Sequence, residues 1–220
     1  MIRQFKDPKN RAQLKALAGR LFDEALKERD APIQAAVKAG IALAIQILLV
    51  APMRLANLAA LNLETNVVRV GGGTEPTYHL VIPPEDVKND QPLEYPLPKV
   101  VNEMLGLYLA AFRPRLCRSD NPWLFPGEFD GYKTKGVLSG QIIESITKEL
   151  GIRVTPHQFR HLAAVFILEK DPANYEFVRR VLGHKNLQTT ITFYIGLETL
   201  EAVRKFSAMA LEDVDWSPAP

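Results

Sequence analysis

Four side chains between residues 157 and 194 are of the types that attack and stabilise a phosphodiester. His157 and Arg160 lie three residues apart, His184 follows a Leu-Gly pair, and Tyr194 lies ten residues beyond His184. A tyrosine hydroxyl can act as a nucleophile, an imidazole can move its proton, and a guanidinium can grip two phosphate oxygens at once. The set therefore predicts an enzyme that attacks a phosphodiester with its own side chain.

The first pair is predicted to lie at the start of a helix. His157 and Arg160 share one helix face, and Thr155 as N-cap with Pro156 as the first helical residue puts both in the first turn. Free amides and the helix dipole favour an anion there. On its own, the same motif is more often a capped helix with a surface arginine.

The second histidine and the tyrosine also have blander interpretations. Gly183 is predicted to take the left-handed C-cap position, so that His184 emerges at a reversal between two helices. A histidine there is often only a helix-end cation. Tyr194 follows Phe193 in an apolar-patterned helix, where a tyrosine commonly packs its ring in a core.

The sequence predicts no metal site and no cofactor. His157 and His161 have the i, i+4 spacing of a metal pair, but the glutamate of a zinc-protease motif is absent. Phe159 and Arg160 occupy the intervening positions, and the guanidinium would repel a cation.

Helices are predicted for most of the rest of the chain. Apolar spacing predicts a helix from Asp7-Pro8 to about Arg29, a second to about Val50, and a third over Met53 to Leu61. Later helices are predicted to begin at Lys99, Ser139, Thr155 and Asp171, and one capped by Asn186 carries Tyr194.

One small sheet interrupts the helices. β-Branched runs at 67–70, 78–82 and 93–97 are separated by three glycines and by a proline-bounded segment, the pattern of an antiparallel meander. We therefore expect a mainly α (α+β) fold, a helical domain with a small three-stranded antiparallel sheet.

Composition favours one soluble globular domain. The chain has 220 residues, 47% of them hydrophobic, and a formal charge of +2, which does not mark a strongly basic nucleic-acid binder. Cys117 is the single cysteine and suits a reducing cytosol. The longest apolar run, 41–51, contains Gln46 and is too short to span a bilayer, so it predicts a buried helix and no membrane partner.

Taken in this order, the motifs resemble the C-terminal signature of the tyrosine recombinases, the phage integrase family. The matching segments are His157-Gln158-Phe159-Arg160-His161, Leu182-Gly183-His184, and Thr189-Thr190 before Phe193-Tyr194. Further matches are Arg54 with the leucines that follow it, Lys88 ahead of Tyr95-Pro96-Leu97-Pro98, and Leu124-Phe125-Pro126. The resemblance covers about residues 40 to 196.

The resemblance implies a reaction through a covalent intermediate. Tyr194 would attack the scissile phosphate to form a 3′-phosphotyrosine, His157 would receive the tyrosine proton, and Lys88 would protonate the departing 5′ oxygen. Another strand's 5′ hydroxyl could then reverse the attack and exchange strands.

The resemblance also implies how the phosphate is held. Arg54 and Arg160 would grip its non-bridging oxygens as charge builds up, and His184 would hydrogen-bond a phosphate oxygen. Two guanidiniums would supply the charge neutralisation, so no metal is required.

The chain departs from the family pattern at two places. Family members usually carry glutamate three residues after the first arginine, where this chain has Asn57, which can hydrogen-bond but has no carboxylate to orient Arg54. Many relatives place the tyrosine one residue earlier, at Phe193. Phe has no hydroxyl, so Tyr194 is the nucleophile candidate.

The implied partners are double-stranded DNA and other protomers assembled on it, in a bacterial cytoplasm on the nucleoid, with a phage or mobile element as the origin. We expect DNA backbone contacts from basic residues near the motifs. The candidates are Lys133, Lys135, Lys148, Arg153, Arg179, Arg180 and Lys185.

The predicted domain organisation is one catalytic domain with two short flanks. Residues 1–30 are interpreted as an N-terminal helix or linker remnant, 31–211 as the catalytic domain and 212–220 as a tail. Family members usually carry an N-terminal DNA-binding domain as well, so we expect a catalytic-domain fragment or a truncated integrase. Three alternatives stay open at this point: a type IB topoisomerase, a catalytically silent DNA-binding relative, and a helical protein-interaction domain.

Overall fold

Two long helices that pack on each other form a large part of the core. The computed structural model describes residues 3–71, 77–87, 92–171, 174–188 and 190, and six residues between 203 and 212. Helix α1 (Pro8–Lys27) begins where the Asp7 side chain accepts a hydrogen bond from the amide of Lys9. Helix α2 (Pro32–Val50) follows, and Leu14, Leu17 and Phe22 of α1 are at most 3% exposed.

Helix α2 is buried at the centre of the molecule. By length and composition it is apolar enough to cross a membrane, yet 61% of its most apolar stretch is covered by the rest of the chain. Such all-round hydrophobicity is also expected of a core helix. The prediction of a buried helix here is confirmed. Because α1 and α2 share one core, the predicted boundary at residue 30 falls between two packed helices, and the domain bounds remain predictions.

The third helix is shorter than predicted. Helix α3 (Leu55–Ala59) begins only after Arg54, whose extended angles (φ −70°, ψ 147°) make it the N-cap. Met53 instead donates its amide to the carbonyl of Ala51 at 2.6 Å, in a tight turn around Pro52. Arg54 therefore lies at a helix start, as predicted.

The predicted meander is present as three antiparallel strands in sequence order. They are β1 (Val67–Val70), β2 (Thr77–Ile82) and β3 (Leu93–Pro96). Leu80 pairs with Val67 on one side and with Tyr95 on the other. Leu80 and Tyr95 are buried, so this face of the sheet packs on the helices.

The segment after the sheet is helical but not uniformly α. Helix α4 (Lys99–Leu107) continues as a π turn (Tyr108–Phe112) and a 3₁₀ turn (Arg113–Arg115). Pro114 has no amide proton and cannot extend an α-helical ladder, which accounts for the change of pitch at this point.

Three further helices are described from end to end, and two of their starts were predicted wrongly. Helix α5 (Lys135–Leu150) begins after Thr134, whose hydroxyl accepts from the amide of Val137, and not at Ser139. Helix α6 (Pro156–Lys170) begins as predicted. Helix α7 (Tyr175–Leu182) is capped by Asn174, which accepts from the amide of Phe177, and not by Asp171.

Candidate active site

The start of α6 places one site residue in solvent and another in the core. A capping box fixes this turn: the amide of Thr155 donates to the Gln158 side chain at 2.8 Å, and the Thr155 side chain caps the amide of Gln158 in return. His157 is exposed, whereas Arg160 is only 5% exposed. The predicted helix start at Thr155-Pro156 is confirmed, with His157 in the first turn and Arg160, the fifth helical residue, just beyond it.

The buried guanidinium of Arg160 ties together two segments that are distant in sequence. Its Nη1 donates to the carbonyl of Pro52 at 2.6 Å, and its Nη2 donates to the carbonyl of Leu182 at 2.8 Å. Pro52 lies two residues before Arg54, and Leu182 lies two residues before His184. Arg160 therefore positions the chain that carries the other two predicted phosphate ligands, a role that the sequence did not reveal.

The reversal at His184 has the predicted left-handed glycine. Gly183 has φ +60°, the amide of His184 donates to the carbonyl of Arg179 at 3.0 Å, and the amide of Gly183 donates to Arg180. This is a Schellman ending. The Arg179 guanidinium also donates to the carbonyl of His184 at 3.2 Å, so the backbone on both sides of the imidazole is held.

The imidazole of His184 lies among positive charges. Burial first, then Arg160, Arg54 and His161, lower its pKa to about 4. Arg54 and Arg160 therefore lie close enough to His184 to act on its charge, while the catalytic roles of all three residues stay a prediction. Near neutral pH the ring is therefore uncharged, and it can donate a hydrogen bond from one nitrogen only.

The other two imidazoles near the site form a pair on α6. The rings of His157 and His161 meet edge to face, with centroids 4.7 Å apart. Burial, His157 and Arg160 lower the pKa of His161 to about 4. Partial burial of the His157 ring lowers its pKa too, and Arg160 lowers it further. His157 is thus a neutral, exposed imidazole that can accept a proton.

Tyr95 is a site residue that the sequence did not identify. Its hydroxyl donates to the carbonyl of Val181 at 3.0 Å, next to the carbonyl that Arg160 holds. Burial raises the pKa of Tyr95 to about 12, against the opposing effect of Arg160 and Arg54. The alternation of buried Leu93 and Tyr95 along β3 was the available signal.

Asn57 makes a contact that a glutamate could not make. Its Nδ2 donates to the carbonyl of Asp86 at 3.0 Å, and a carboxylate has no proton for such a bond. Asp86 lies two residues before Lys88 in sequence. The amide therefore links the helix that follows Arg54 to the segment that leads to the predicted lysine.

Two of the six predicted catalytic residues, Lys88 and Tyr194, lie outside the described residues, so their placement stays a prediction.

Among the described residues, no group of three or more histidine, cysteine or acidic side chains is arranged to hold a metal ion.

The predicted DNA-contact residues divide into two groups. Lys133 donates to the Gln141 side chain at 2.9 Å, and burial lowers its pKa. Arg179 and Arg180 both pair with Glu176. The remaining four side chains are exposed and available to a polyanion: Lys135, Lys148, Arg153 and Lys185.

The sequence of this helical chain belongs to one known class of protein. The sequence model of the phage integrase family matches residues 20–200. The chain belongs to the phage integrase family, and the resemblance inferred from the motifs is confirmed.

Particular relatives cover only part of this family match. The chain is 30% identical over 110 residues to the tyrosine recombinase XerD of Brucella suis, which spans 47% of the chain and 34% of that protein. It is 39% identical over 75 residues to XerA of Pyrococcus furiosus, or 32% of the chain and 25% of that protein.

The solved structures confirm the fold class. The XerH site-specific recombinase bound to a palindromic difH substrate, in a post-cleavage complex, aligns with 87% of the chain and 51% of its own length, with a TM-score of 0.63 and 21% identity. The chain thus spans about half of that recombinase and a smaller share of the curated relatives.

We expect the stability of the chain to fall as the pH drops from about 6.5 towards 4. The folded-state pKa values of His161 and His184 are about 4, against 6.5 for a free side chain. In that interval the unfolded chain binds more protons, so stability is fully present above about pH 6.5 and is lost as the pH falls. Allowing for the partial exposure of both rings, the loss is about 1 kcal/mol for each.

Urea unfolding at several pH values tests this expectation. The loss between pH 7 and pH 4.5 should be smaller in His161→Gln and in His184→Gln than in the parent chain. Profiles that run parallel to the parent profile in both variants would contradict it.

Proposed function

We propose that this chain is the catalytic domain of a site-specific recombinase that cleaves and rejoins double-stranded DNA through a 3′-phosphotyrosine. The observation that supports this best is the bridge made by Arg160, because it brings Arg54 and His184 to one site in a chain of the phage integrase family. The XerH relative was solved in complex with its difH substrate.

The charges of the described site suit the phosphate of that reaction. Two guanidiniums, Arg54 and Arg160, act on the same imidazole and would stabilise a phosphorane-like transition state as its negative charge grows. The uncharged ring of His184 can add one neutral hydrogen bond to a phosphate oxygen. These groups would supply the charge neutralisation without a metal ion.

Two different side chains would transfer protons, one at the attacking tyrosine and one at the departing 5′ oxygen. We assign Tyr194 as the nucleophile and His157, exposed and neutral, as the base that takes its proton. Lys88 would protonate the departing 5′ oxygen. The bond energy would be kept in the phosphotyrosine, so that a second strand's 5′ hydroxyl can complete an exchange, which requires several protomers on DNA.

A bacterial cytoplasm, with phage or mobile-element origin, is the setting we propose.

A covalent-adduct assay tests the proposal. The chain would be incubated in EDTA with a pool of nicked duplexes of randomised sequence, from which the cleaved fragment can diffuse away. We expect an adduct that survives denaturation, and peptide mass mapping after nuclease digestion should place it on Tyr194. The matched control is Tyr194→Phe, which removes only the hydroxyl and should form none.

Other results would overturn the assignment. An adduct on a different residue, or a requirement for Mg²⁺, would exclude the mechanism. Relaxation of supercoiled plasmids regardless of their sequence would instead indicate a topoisomerase.

A further inference from the structure

The ring of His184 has a buried hydroxyl as its neighbour. Its Nδ1 lies 2.8 Å from Oγ1 of Thr190, and Thr190 is 0% exposed. The backbone of His184 is already held by Arg179 and by the Schellman turn. The hydroxyl therefore fixes the one part of the residue that the backbone leaves free, the rotation of the imidazole.

This hydrogen bond can be made in two ways with opposite consequences. If Nδ1–H donates to the hydroxyl, the distal Nε2 carries a bare lone pair, which repels a phosphate oxygen. If the hydroxyl donates to Nδ1, the proton of the neutral ring is on Nε2, which becomes a hydrogen-bond donor. The direction of the hydrogen bond with Thr190 therefore decides whether Nε2 is a donor or an acceptor.

We propose that Thr190 is a positioning residue that donates its hydroxyl proton to Nδ1 of His184 and so keeps the Nε2–H tautomer, which donates to the scissile phosphate. This inference rests on the proposed function for the ligand, and on the 2.8 Å contact for the geometry.

The charges around the ring make the tautomer matter. Because burial, and after it Arg160 and Arg54, disfavour the imidazolium, protonation of both nitrogens is not available near neutral pH as a route to a donor. The site would then present two guanidiniums and one neutral N–H to an anion. Without the threonine hydroxyl, the ring could place its proton on either nitrogen and rotate.

Two substitutions separate the hydroxyl from the shape of the side chain. Thr190→Val keeps the branched shape and removes the O–H, whereas Thr190→Ser keeps the O–H. Long-range ¹H–¹⁵N NMR of the ¹⁵N-histidine-labelled chain without DNA reports the His184 tautomer directly. Adduct formation on the randomised nicked duplexes reports activity.

We expect the Nε2–H tautomer near pH 7 in the parent chain and in Thr190→Ser, with adduct rates within about twofold of each other. Thr190→Val should lose the tautomer preference and form the adduct about tenfold more slowly, as for the loss of one hydrogen bond. A merely structural threonine would leave the NMR pattern of the valine variant unchanged.

Two outcomes overturn the proposal: an Nδ1–H tautomer in the parent chain, or a valine variant that keeps either the Nε2–H tautomer preference or the parent rate. If Thr190→Val does not fold, the NMR spectrum of the parent still decides the tautomer. If the parent forms no adduct on any duplex, the proposed function fails, while the spectrum independently tests the role of Thr190.

Discussion

Arg160→Ala is expected to reduce covalent adduct formation by at least about 10²–10³-fold and to lower the free energy of unfolding by about 3 kcal/mol. The first effect follows from losing one of the two cationic groups that we propose hold the phosphate. The second follows because the carbonyls of Pro52 and Leu182 lose their buried donor. Each unsatisfied buried carbonyl costs about 1–3 kcal/mol.

Arg160→Lys separates charge from geometry. An ammonium retains the positive charge but cannot reproduce the planar fork that reaches two carbonyls lying in different directions. We expect the lysine variant to recover part of the stability and little of the activity, because the segments carrying Arg54 and His184 are no longer held in register.

Urea unfolding and the adduct rate measure the two effects separately. The matched control is Arg20→Ala, which removes a half-exposed arginine paired with Glu149 on another helix and should change stability by about 0–1 kcal/mol and leave the adduct rate unaltered. A lysine variant within twofold of the parent rate would rule out the bridging role of the guanidinium.

Local signals predicted most of the fold correctly. The N-cap at Thr155, the left-handed Gly183 and the β-branched runs of the sheet each depend on a few neighbouring residues, so the sequence displays them directly. The two wrong helix starts, at Ser139 and Asp171, occurred where another capping residue lay within a few positions. Tertiary packing chooses between such neighbours, and no local pattern records that choice.

The site was predictable as a set of residue types but not as a structure. Motif spacing identified Arg54, Arg160 and His184, yet the bonds that assemble them join residues far apart, such as Arg160 and Pro52, which are 108 positions apart. Tyr95 escaped notice for the same reason, since its partner Val181 lies on α7, 86 positions away. Contacts of this kind depend on the finished fold and leave no periodic trace.

Gly183→Ala is the other substitution with a large expected effect. The backbone at Gly183 has φ +60°, which costs a residue with a side chain about 1 kcal/mol. In addition, an added Cβ would lie 2.5 Å from Cδ2 of the buried Leu93, and overpacking of that kind costs about 1–3 kcal/mol. We expect a total loss of about 2–4 kcal/mol and a lower adduct rate, because His184 is the next residue.

A second glycine separates backbone strain from steric conflict. Gly151 ends α5 with φ +68°, and an added Cβ there meets nothing within 4 Å, so Gly151→Ala should cost only about 1 kcal/mol. Combining Gly183→Ala with Leu93→Ala should cost less than the sum of the single changes, because the truncated leucine leaves room for the methyl group. Additive effects in that cycle, or equal losses at the two glycines, would show that Leu93 does not constrain the turn.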